Sequence, residues 1–256
     1  FYKNNAFLNA FDNVLKNNSS LHLMGCVSDG GVHSHIDHLK ELMKMSVKNG
    51  IKNFYIHAFL DGRDVHPMSA KKYINDIENL INELNSGEIA TISGRYFSLD
   101  RDNKWERTKK TYDTIVCRIG KEFNNAIEAI DYYYDKAITD EFIEPTCIKV
   151  KDSLQAKIKD KDSVIFFNFR PDRTRQLTSS LTLKEFKEFD RCKYLSNLFF
   201  VCMTNYDDKF NLPVAFPQEK VKNTLGEVIS KHGLKQLRIS ETDKYPHVSF
   251  FFNGGI

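Results

Sequence analysis

The stretch that most constrains the fold is an apolar run that leads into a glycine turn and then into a helical pattern. The run covers residues 21–27, the turn covers 28–35, and apolar residues recur at helical spacing over 36–47. Gly30 and Gly31 can adopt backbone angles that are closed to other residues, which suits a tight turn. This succession predicts a buried strand, a turn open to a ligand and an amphipathic helix.

The start of that helix is the first candidate binding site. Ser34 is the expected N-cap, with Asp37 as its capping-box partner. Amides and the helix dipole at such a start favour an anion, although a plain tight turn with surface histidines is an equally good interpretation. His33, His35 and His38 would make a poor metal site, since no second carboxylate cluster is in register with them.

The alternation of apolar runs and helical patterns continues along the chain. Further strands are predicted at 54–60, 89–93, 164–169 and 198–203, and helices at 5–17, about 69–85, 104–118, 124–137, about 175–189 and 224–232. This order predicts an α/β fold, with a mostly parallel sheet and helices on both faces. Residues 142–150 are expected to be extended and 209–220 to form a linker, while strands at 235–239 and 247–252 would close the chain.

Charged segments follow the predicted strands, so they should meet at one edge of the sheet. Arginine is scarce, at 10 residues against 27 lysines, yet six arginines lie just after strand ends: Arg63, Arg95, Arg101, Arg170, Arg173 and Arg175. Each could simply pair with a loop aspartate, and the same segments hold Asp61, Asp64, Asp100, Asp102 and Asp172. As a cluster, the arginines suit a small molecule with two or more negative groups, because the guanidinium fork fits carboxylate and phosphate.

Asp64 directly follows Arg63 and has two interpretations. Among cations its carboxylate is expected to stay ionised, and it could hold or deprotonate a substrate hydroxyl. It could equally be an ion-pair partner that orients Arg63 or Arg95. The pattern favours neither interpretation.

The composition excludes several classes of protein. With 256 residues, 41% of them hydrophobic, and a net charge of +3, the chain can form a sizeable core, and its charge is too balanced to demand nucleic acid or a membrane surface. We expect no membrane span and no signal peptide. The five cysteines are scattered without a CxxC pair, which predicts buried, reduced thiols in a cytoplasmic protein.

The two ends predict a piece of a longer protein. The chain begins at Phe1 without a methionine, and it ends where the apolar residues 250–252 enter a glycine turn. A domain does not normally end at the point where a strand leads into a turn.

Seven segments, taken together, carry a family resemblance. They are 22–25 with 28–35, Asp61-Gly62-Arg63-Asp64, 93–96 with 100–102, Trp105-Glu106-Arg107, Asp140-Glu141-Phe142, 168–173, and 241–245 with 247–255. In this order they resemble the cofactor-independent phosphoglycerate mutases of the alkaline phosphatase superfamily. Each segment is weak alone, but seven in family order are specific, and they cover essentially the whole chain.

The resemblance implies a two-domain enzyme. A phosphatase-like domain carries a serine nucleophile and two manganese ions (Mn2+), which aspartates and histidines hold, and an inserted transferase domain grips the glycerate. Residues 1–218 would be the transferase, or substrate-binding, domain, and residues 219–256 would return into the phosphatase-like domain. The serine and the metal ligands would lie outside this chain, so the resemblance implies no metal site within it.

The resemblance also implies the site residues. Those that would bind phosphoglycerate are His33, Arg63, Asp64, Arg95, Arg101, Arg170, Arg173 and Lys244. Asp64 would be the catalytic residue that manages the hydroxyl proton. Arg175 goes beyond the family motif and is not assigned.

The implied activity is that of an isomerase, which interconverts 3-phosphoglycerate and 2-phosphoglycerate in glycolysis through a phosphoserine intermediate. This chain would supply the glycerate-gripping half, be inactive alone, and act as a cytoplasmic monomer with a small-molecule substrate and no nucleic-acid or membrane partner. Two alternatives stay open. One is a stand-alone module that binds phosphorylated sugars without chemistry, which the flanking sequence would decide. The other is a related phosphatase or phosphomutase that acts on another substrate. The set of arginines, which is matched to a small carboxylate, argues against this second alternative.

Overall fold

Contacts divide the chain into two units in the computed structural model, which describes residues 1–152, 154, 156–217 and 221–254. The units are Phe1–Phe216 and Pro217–Ile256. The predicted boundary between residues 218 and 219 lies outside the described residues, as does the end of the predicted final turn at 255 and 256. No helix in the described ranges is both long and apolar enough to cross a membrane.

The first unit is built on a sheet that has seven strands within the described residues. They are β1 (Leu21–Val27), β2 (Phe54–Leu60), β3 (Glu88–Gly94), β4 (Lys121–Phe123), β5 (Thr146–Ile148), β6 (Ser163–Phe166) and β7 (Phe199–Cys202). Their order across the sheet is β4-β5-β3-β2-β1-β6-β7. Neighbours from β3 to β7 are parallel, and β5 runs antiparallel to β3. The predicted mostly parallel sheet is therefore confirmed.

Helices cover both faces of this sheet, as predicted. They are α1 (Asn5–Asn17), α2 (Ile36–Lys48), α3 (Ala70–Leu84), α4 (Arg95–Ser98), α5 (Trp105–Cys117), α6 (Ala126–Tyr134) and α7 (Arg175–Thr182). Alternate side chains of a strand point to opposite faces. Leu21 and Leu23 of β1 accordingly join one core with α1, α2, α3 and α6, whereas Met24 and Cys26 join a second core with α5 and α7.

A buried polar chain crosses the middle of the otherwise apolar sheet. His22 Nδ1 lies 3.0 Å from His57 Nε2, and His57 Nδ1 lies 2.9 Å from Thr91 Oγ1. His22 Nε2 lies 3.2 Å from a carboxylate oxygen of Asp162. Because both ring nitrogens of His22 and of His57 have a partner, the central strands carry these histidines without an unsatisfied group.

The sheet edge beyond β3 differs from the prediction in detail. A strand, β4, lies between two predicted helices, where none was expected. The predicted extended stretch 142–150 begins inside a 3-10 turn, Asp140–Phe142, and contains β5. Strands of three residues are too short to produce a periodic signal, which explains why the pattern misses β4.

The prediction of reduced thiols throughout is wrong for two of the five cysteines. Cys117, at the end of α5, forms a disulfide with Cys192, while Cys26, Cys147 and Cys202 are buried free thiols. The helix predicted at about 175–189 ends at Thr182. The irregular segment after α7 then brings Cys192 back to α5. The two cysteines are 75 residues apart, so no local pattern reports their approach.

The second unit contains short helices. They are α8 (Leu225–Lys231), α9 (Tyr245–Val248) and 3-10 turns at Thr242–Lys244 and Phe251–Asn253. Thr224 caps α8 in a capping box with Glu227, as the predicted helix start requires. The strands predicted at 235–239 and 247–252 are wrong. An apolar segment becomes a strand only where a sheet edge pairs with it, and no strand is present among the described residues of this unit.

Candidate functional site

The loops that follow β1, β2, β3 and β6 meet at one edge of the sheet, as parallel strands require. The amides of Phe169 and Arg170 donate to the carbonyl oxygen of His33 at 2.8 and 3.3 Å. A Cβ atom at Gly30 would lie 3.2 Å from the Cβ of Asp64. The glycine turn therefore contacts the loop after β2 on one side and the loop after β6 on the other.

The start of α2 is capped differently from the prediction. His35 is the N-cap, and its Nδ1 accepts a hydrogen bond from the amide of Asp37 at 3.2 Å. The hydroxyl of Ser34 instead donates to the carbonyl oxygen of Cys26, back in β1. The predicted Ser34–Asp37 capping box is thus wrong, because Ser34 is buried and bonds to the end of the strand.

Asp61 is a buried carboxylate beneath the site. One of its oxygens accepts from the hydroxyl of Ser28 at 2.6 Å, and the other accepts from Nη1 of Arg95 at 2.6 Å. The backbone amides of Arg63 and Asp64 donate to it as well. Burial would raise the pKa of Asp61, but the hydrogen bonds from Ser28, the Asp64 amide and Arg95 hold that pKa below its ordinary value. Asp61 therefore fixes both the loop after β2 and the arginine after β3.

Arg95 joins three predicted site residues into one cluster. Its side chain is 3% exposed, its Nη1 also bonds Asp64 at 2.5 Å, and its Nη2 lies 2.7 Å from Nε2 of His33. Asp64 is thus an ion-pair partner of Arg95, which is one of the two roles that the sequence suggests for it. The pairing leaves its other interpretation, a role toward a substrate hydroxyl, as a prediction.

The contact with Arg95 determines the tautomer of His33. A guanidinium group only donates hydrogen bonds, so Nε2 of His33 must accept and the ring proton lies on Nδ1. Nδ1 is buried and has no hydrogen-bond partner among the described residues. His33 consequently offers an unused N–H donor at the site.

The surroundings of His33 also keep its ring neutral. Burial, followed by the cations Arg95 and Arg170, lowers its pKa to about 4, although the carboxylates Asp64 and Asp172 act in the opposite direction. We therefore expect His33 to remain uncharged at neutral pH.

The lowered pKa of His33 predicts a loss of stability in acid. Between about pH 6.5 and pH 4 the unfolded chain binds a proton at His33 and the folded chain does not, so the free energy of unfolding falls as the pH falls. The expected contribution is about 3 kcal/mol at most. His33→Gln should remove it, which urea unfolding at a series of pH values would measure against the wild type.

That comparison needs the variant because burial also lowers the pKa values of His38 and His57, which act in the same direction. The ring signals of His33 give an independent reading by NMR titration. A midpoint near 6.5 in the folded protein would contradict the assignment.

A second charged cluster adjoins the first. Asp172 accepts two hydrogen bonds from Arg170, at 2.8 and 3.0 Å, and one from Arg101 at 2.7 Å. Burial would raise the pKa of Asp172, but these bonds hold it below its ordinary value. Two of the predicted substrate-binding arginines therefore share one internal carboxylate.

Arg173 differs from the other site arginines, because no ion pair links it to a carboxylate within the described part of the chain. Its side chain donates to the carbonyl oxygen of Leu99 at 3.0 Å. Burial lowers its pKa, and the cations Arg101, Arg95 and Arg63 lower it further, although the carboxylate of Asp172 acts in the opposite direction. The site thus holds a partly buried guanidinium on which the repulsion from neighbouring cations outweighs the attraction of Asp172.

Two further arginines of the first unit, Arg63 and Arg175, contact groups outside this cluster. Arg63 is exposed and pairs with Glu141 at 3.4 Å, which places it at the rim. Arg175 opens α7 and donates to the carbonyl oxygen of Tyr206 at 2.7 Å. Lys244 is exposed and belongs to the second unit, so its role stays a prediction.

The segment Asp140–Phe142 has a structural role that sequence reasoning did not assign. The carboxylate of Asp140 accepts from the amides of Ser69 and Ala70, so it caps α3 from another element. A Cβ atom at Gly94 would collide with the carbonyl oxygen of Glu141, which is why β3 must end in glycine before Arg95. The segment therefore packs against the end of β3 and bonds the start of α3.

The histidines of the glycine turn do not fit a metal ion. Nε2 of His33 faces a guanidinium, and Nδ1 of His35 is used as a helix cap. Across the described residues, no group of three or more histidines, cysteines or carboxylates is placed to hold a metal.

Comparisons with known proteins agree with one another. The family model described as BPG-independent PGAM N-terminus matches residues 1–208. The 2,3-bisphosphoglycerate-independent phosphoglycerate mutases of Clostridium botulinum (Type A) and Clostridium acetobutylicum are 55% and 54% identical over 257 aligned positions, which cover 100% of this chain and 50% of each relative. The crystal structures of Leishmania mexicana phosphoglycerate mutase at low cobalt concentration match with a TM-score of 0.83 and 30% identity, over 99% of this chain and 48% of that one. The chain thus spans about half the length of these relatives.

Proposed function

The chain belongs to the 2,3-bisphosphoglycerate-independent phosphoglycerate mutase family, and from that premise we propose that it forms the half of such an enzyme that grips the glycerate. The whole enzyme would be an isomerase of glycolysis that interconverts 3-phosphoglycerate and 2-phosphoglycerate through a phosphoserine intermediate. Residues 1–218 would be the transferase domain and 219–256 the return segment into the phosphatase-like domain. This chain alone would be inactive.

The observation that carries the proposal is the unbalanced positive charge around Arg173. This partly buried guanidinium forms no ion pair in the ranges that the structure describes, and the repulsion from Arg101 and Arg95, which lowers its pKa, outweighs the attraction of Asp172. A buried charge is costly unless an opposite charge compensates it. The carboxylate or the phosphoryl group of phosphoglycerate would supply that compensation.

The other residues suit the handling of glycerate between two phosphoryl transfers. The glycerate must be kept and reoriented after it loses its phosphoryl group, and holding it in place makes re-phosphorylation effectively unimolecular. The N–H of His33 would donate to a glycerate oxygen, and Asp64, which Arg95 holds in place, would manage the hydroxyl proton. Arg63, Arg101 and Arg170 would neutralise the anionic groups, and Lys244 would reach the phosphoryl group from the phosphatase side.

The proposal places the metal in the other half of the enzyme. Two manganese ions there would stabilise charge on the transferred phosphoryl group; the Leishmania structures name cobalt. We further propose a monomer in the cytoplasm with a small-molecule substrate and no nucleic-acid or membrane partner. The glycolytic role supports this location, and the disulfide between Cys117 and Cys192 argues against it.

Calorimetric titration of 3-phosphoglycerate into this chain tests the proposal. We expect binding of the same affinity in chelator and in manganese, because the substrate grip, that is, the set of residues proposed to bind phosphoglycerate, acts through arginines and not through a metal. We also expect no turnover in a coupled mutase assay with manganese.

Two results would contradict this division of labour. Binding that requires manganese would move the site to a metal, and turnover by this chain would mean that it carries its own nucleophile. If 3-phosphoglycerate binds neither in chelator nor in manganese, the substrate-binding site is not already formed in this chain alone.

A further inference from the structure

Arg175 lines a cavity of about 220 Å³ beside the proposed substrate grip. The cavity lies between the segment that leads into α5 and the first turns of α7. Two other cations, Arg101 and Lys209, line it as well, together with Asp172, Ser179 and Trp105. We propose that this cavity is a second anion site, which binds the phosphate group of a small phosphorylated compound.

The cations of the cavity have too few carboxylates. Arg101 shares Asp172 with Arg170, which holds that carboxylate through two bonds. Arg175 and Lys209 share Asp207, at 3.9 and 3.5 Å. Both distances are longer than the roughly 2.7–2.9 Å of a charge-assisted hydrogen bond. The three cations of the cavity and Arg170 therefore share two carboxylates, Asp172 and Asp207, and an added dianion would complete the balance.

The wall of the cavity offers a hydrogen-bonding group as well as charge. Ser179 is 5% exposed and lines the cavity, so its hydroxyl can donate a hydrogen bond to a ligand there. A phosphate oxygen in the cavity would accept this bond while the two exposed cations close over it.

The size of the cavity limits the ligand. Pockets for drug-sized or nucleotide-like molecules usually measure about 300–1,000 Å³, so 220 Å³ suits inorganic phosphate or a phosphate ester with few carbon atoms. The cavity and the proposed substrate grip both use Arg101. The side chain of Arg101 is 44% exposed in its pair with Asp172, so that pair is easily exchanged. An anion that draws Arg101 into the cavity would weaken the grip on phosphoglycerate, a coupling that rests on the proposed function.

The chain contains its own reporter of occupancy, since Trp105 is its single tryptophan and lines the cavity. Inorganic phosphate or glycerol 2-phosphate, added at constant ionic strength, should change the fluorescence of Trp105 with a saturable dependence. The double variant Arg175→Gln/Lys209→Gln should weaken this binding at least about tenfold, because it removes two charged donors. Lys104→Gln, a neighbouring exposed lysine outside the cavity lining, is the matched charge control and should bind like the wild type.

The two anions distinguish the sources of phosphate. A preference for the ester indicates a metabolite, and equal binding indicates free phosphate. An unchanged fluorescence, or an equal response in the double variant, would overturn the site. Loss of the response in Arg173→Met but not in the double variant would place the anion in the substrate grip instead.

Calorimetry separates this site from the proposed function. Saturating phosphate should raise the Kd for 3-phosphoglycerate in the wild type and much less in the double variant. An equal rise in both would mean direct competition in the grip and would overturn the coupling. If 3-phosphoglycerate does not bind while the Trp105 response persists, the proposed function fails and the anion site stands.

Discussion

Replacing Arg95 by methionine is expected to lower the free energy of unfolding by about 3–5 kcal/mol, the usual cost of removing one partner from a buried ion pair. Methionine fills the space of the arginine stem but supplies no charge. Asp61, whose side chain is 3% exposed, would then be buried without a cation, and Asp64 would lose its bond at the same time. His33 would also lose the donor that determines its tautomer.

The matched control is Arg101→Met, which removes another site arginine from an ion pair at the surface. The side chains of Arg101 and Asp172 are 44% and 29% exposed, and such pairs contribute only about 0–1 kcal/mol. Urea unfolding at pH 7 should therefore separate the two variants by several kcal/mol. Equal losses would show that burial of the Arg95–Asp61 pair has no special cost.

The parallel part of the fold follows from sequence because its strands are long and buried on both faces. Runs such as 54–60 cannot be explained as surface segments, and parallel order then brings Arg63, Arg95 and Arg170 to one edge without further information. The cluster of arginines was predictable for this reason. The local interpretation of loop aspartates as their partners was also correct, since Asp64 and Asp172 form these pairs.

The features that sequence reasoning missed depend on contacts between distant segments. Asp61 does not differ in sequence from the other loop aspartates, and only its burial under Arg95 shows that it organises the site. Asp140 caps a helix about 70 residues earlier in the chain, and Cys192 meets Cys117 across a similar separation. The neighbour that decides each of these roles lies outside any local window.

A change at Arg173 is expected to have the opposite character to a change at Arg95. Arg173→Met removes a partly buried cation that Arg101, Arg95 and Arg63 repel more than Asp172 attracts, so the stability of the unliganded chain should stay the same or rise. Affinity for 3-phosphoglycerate should fall by about 2–5 kcal/mol, or at least about thirtyfold in Kd, because the buried charge pair with the ligand is lost. Calorimetry and urea unfolding of the same variant measure the two effects.

Arg107→Met is the control for this second variant. Arg107 pairs with Asp100 at 3.0 Å and lies 3.8 Å from the ring centroid of Tyr96, so its loss should reduce stability modestly and leave the Kd unchanged. If Arg173 lowers the stability of the unliganded chain, the binding of a ligand is the best explanation for its presence. If Arg173→Met instead destabilised the chain and bound 3-phosphoglycerate like the wild type, the guanidinium would have a purely structural role. The unbalanced charge at this sheet edge would then need another anion to explain it.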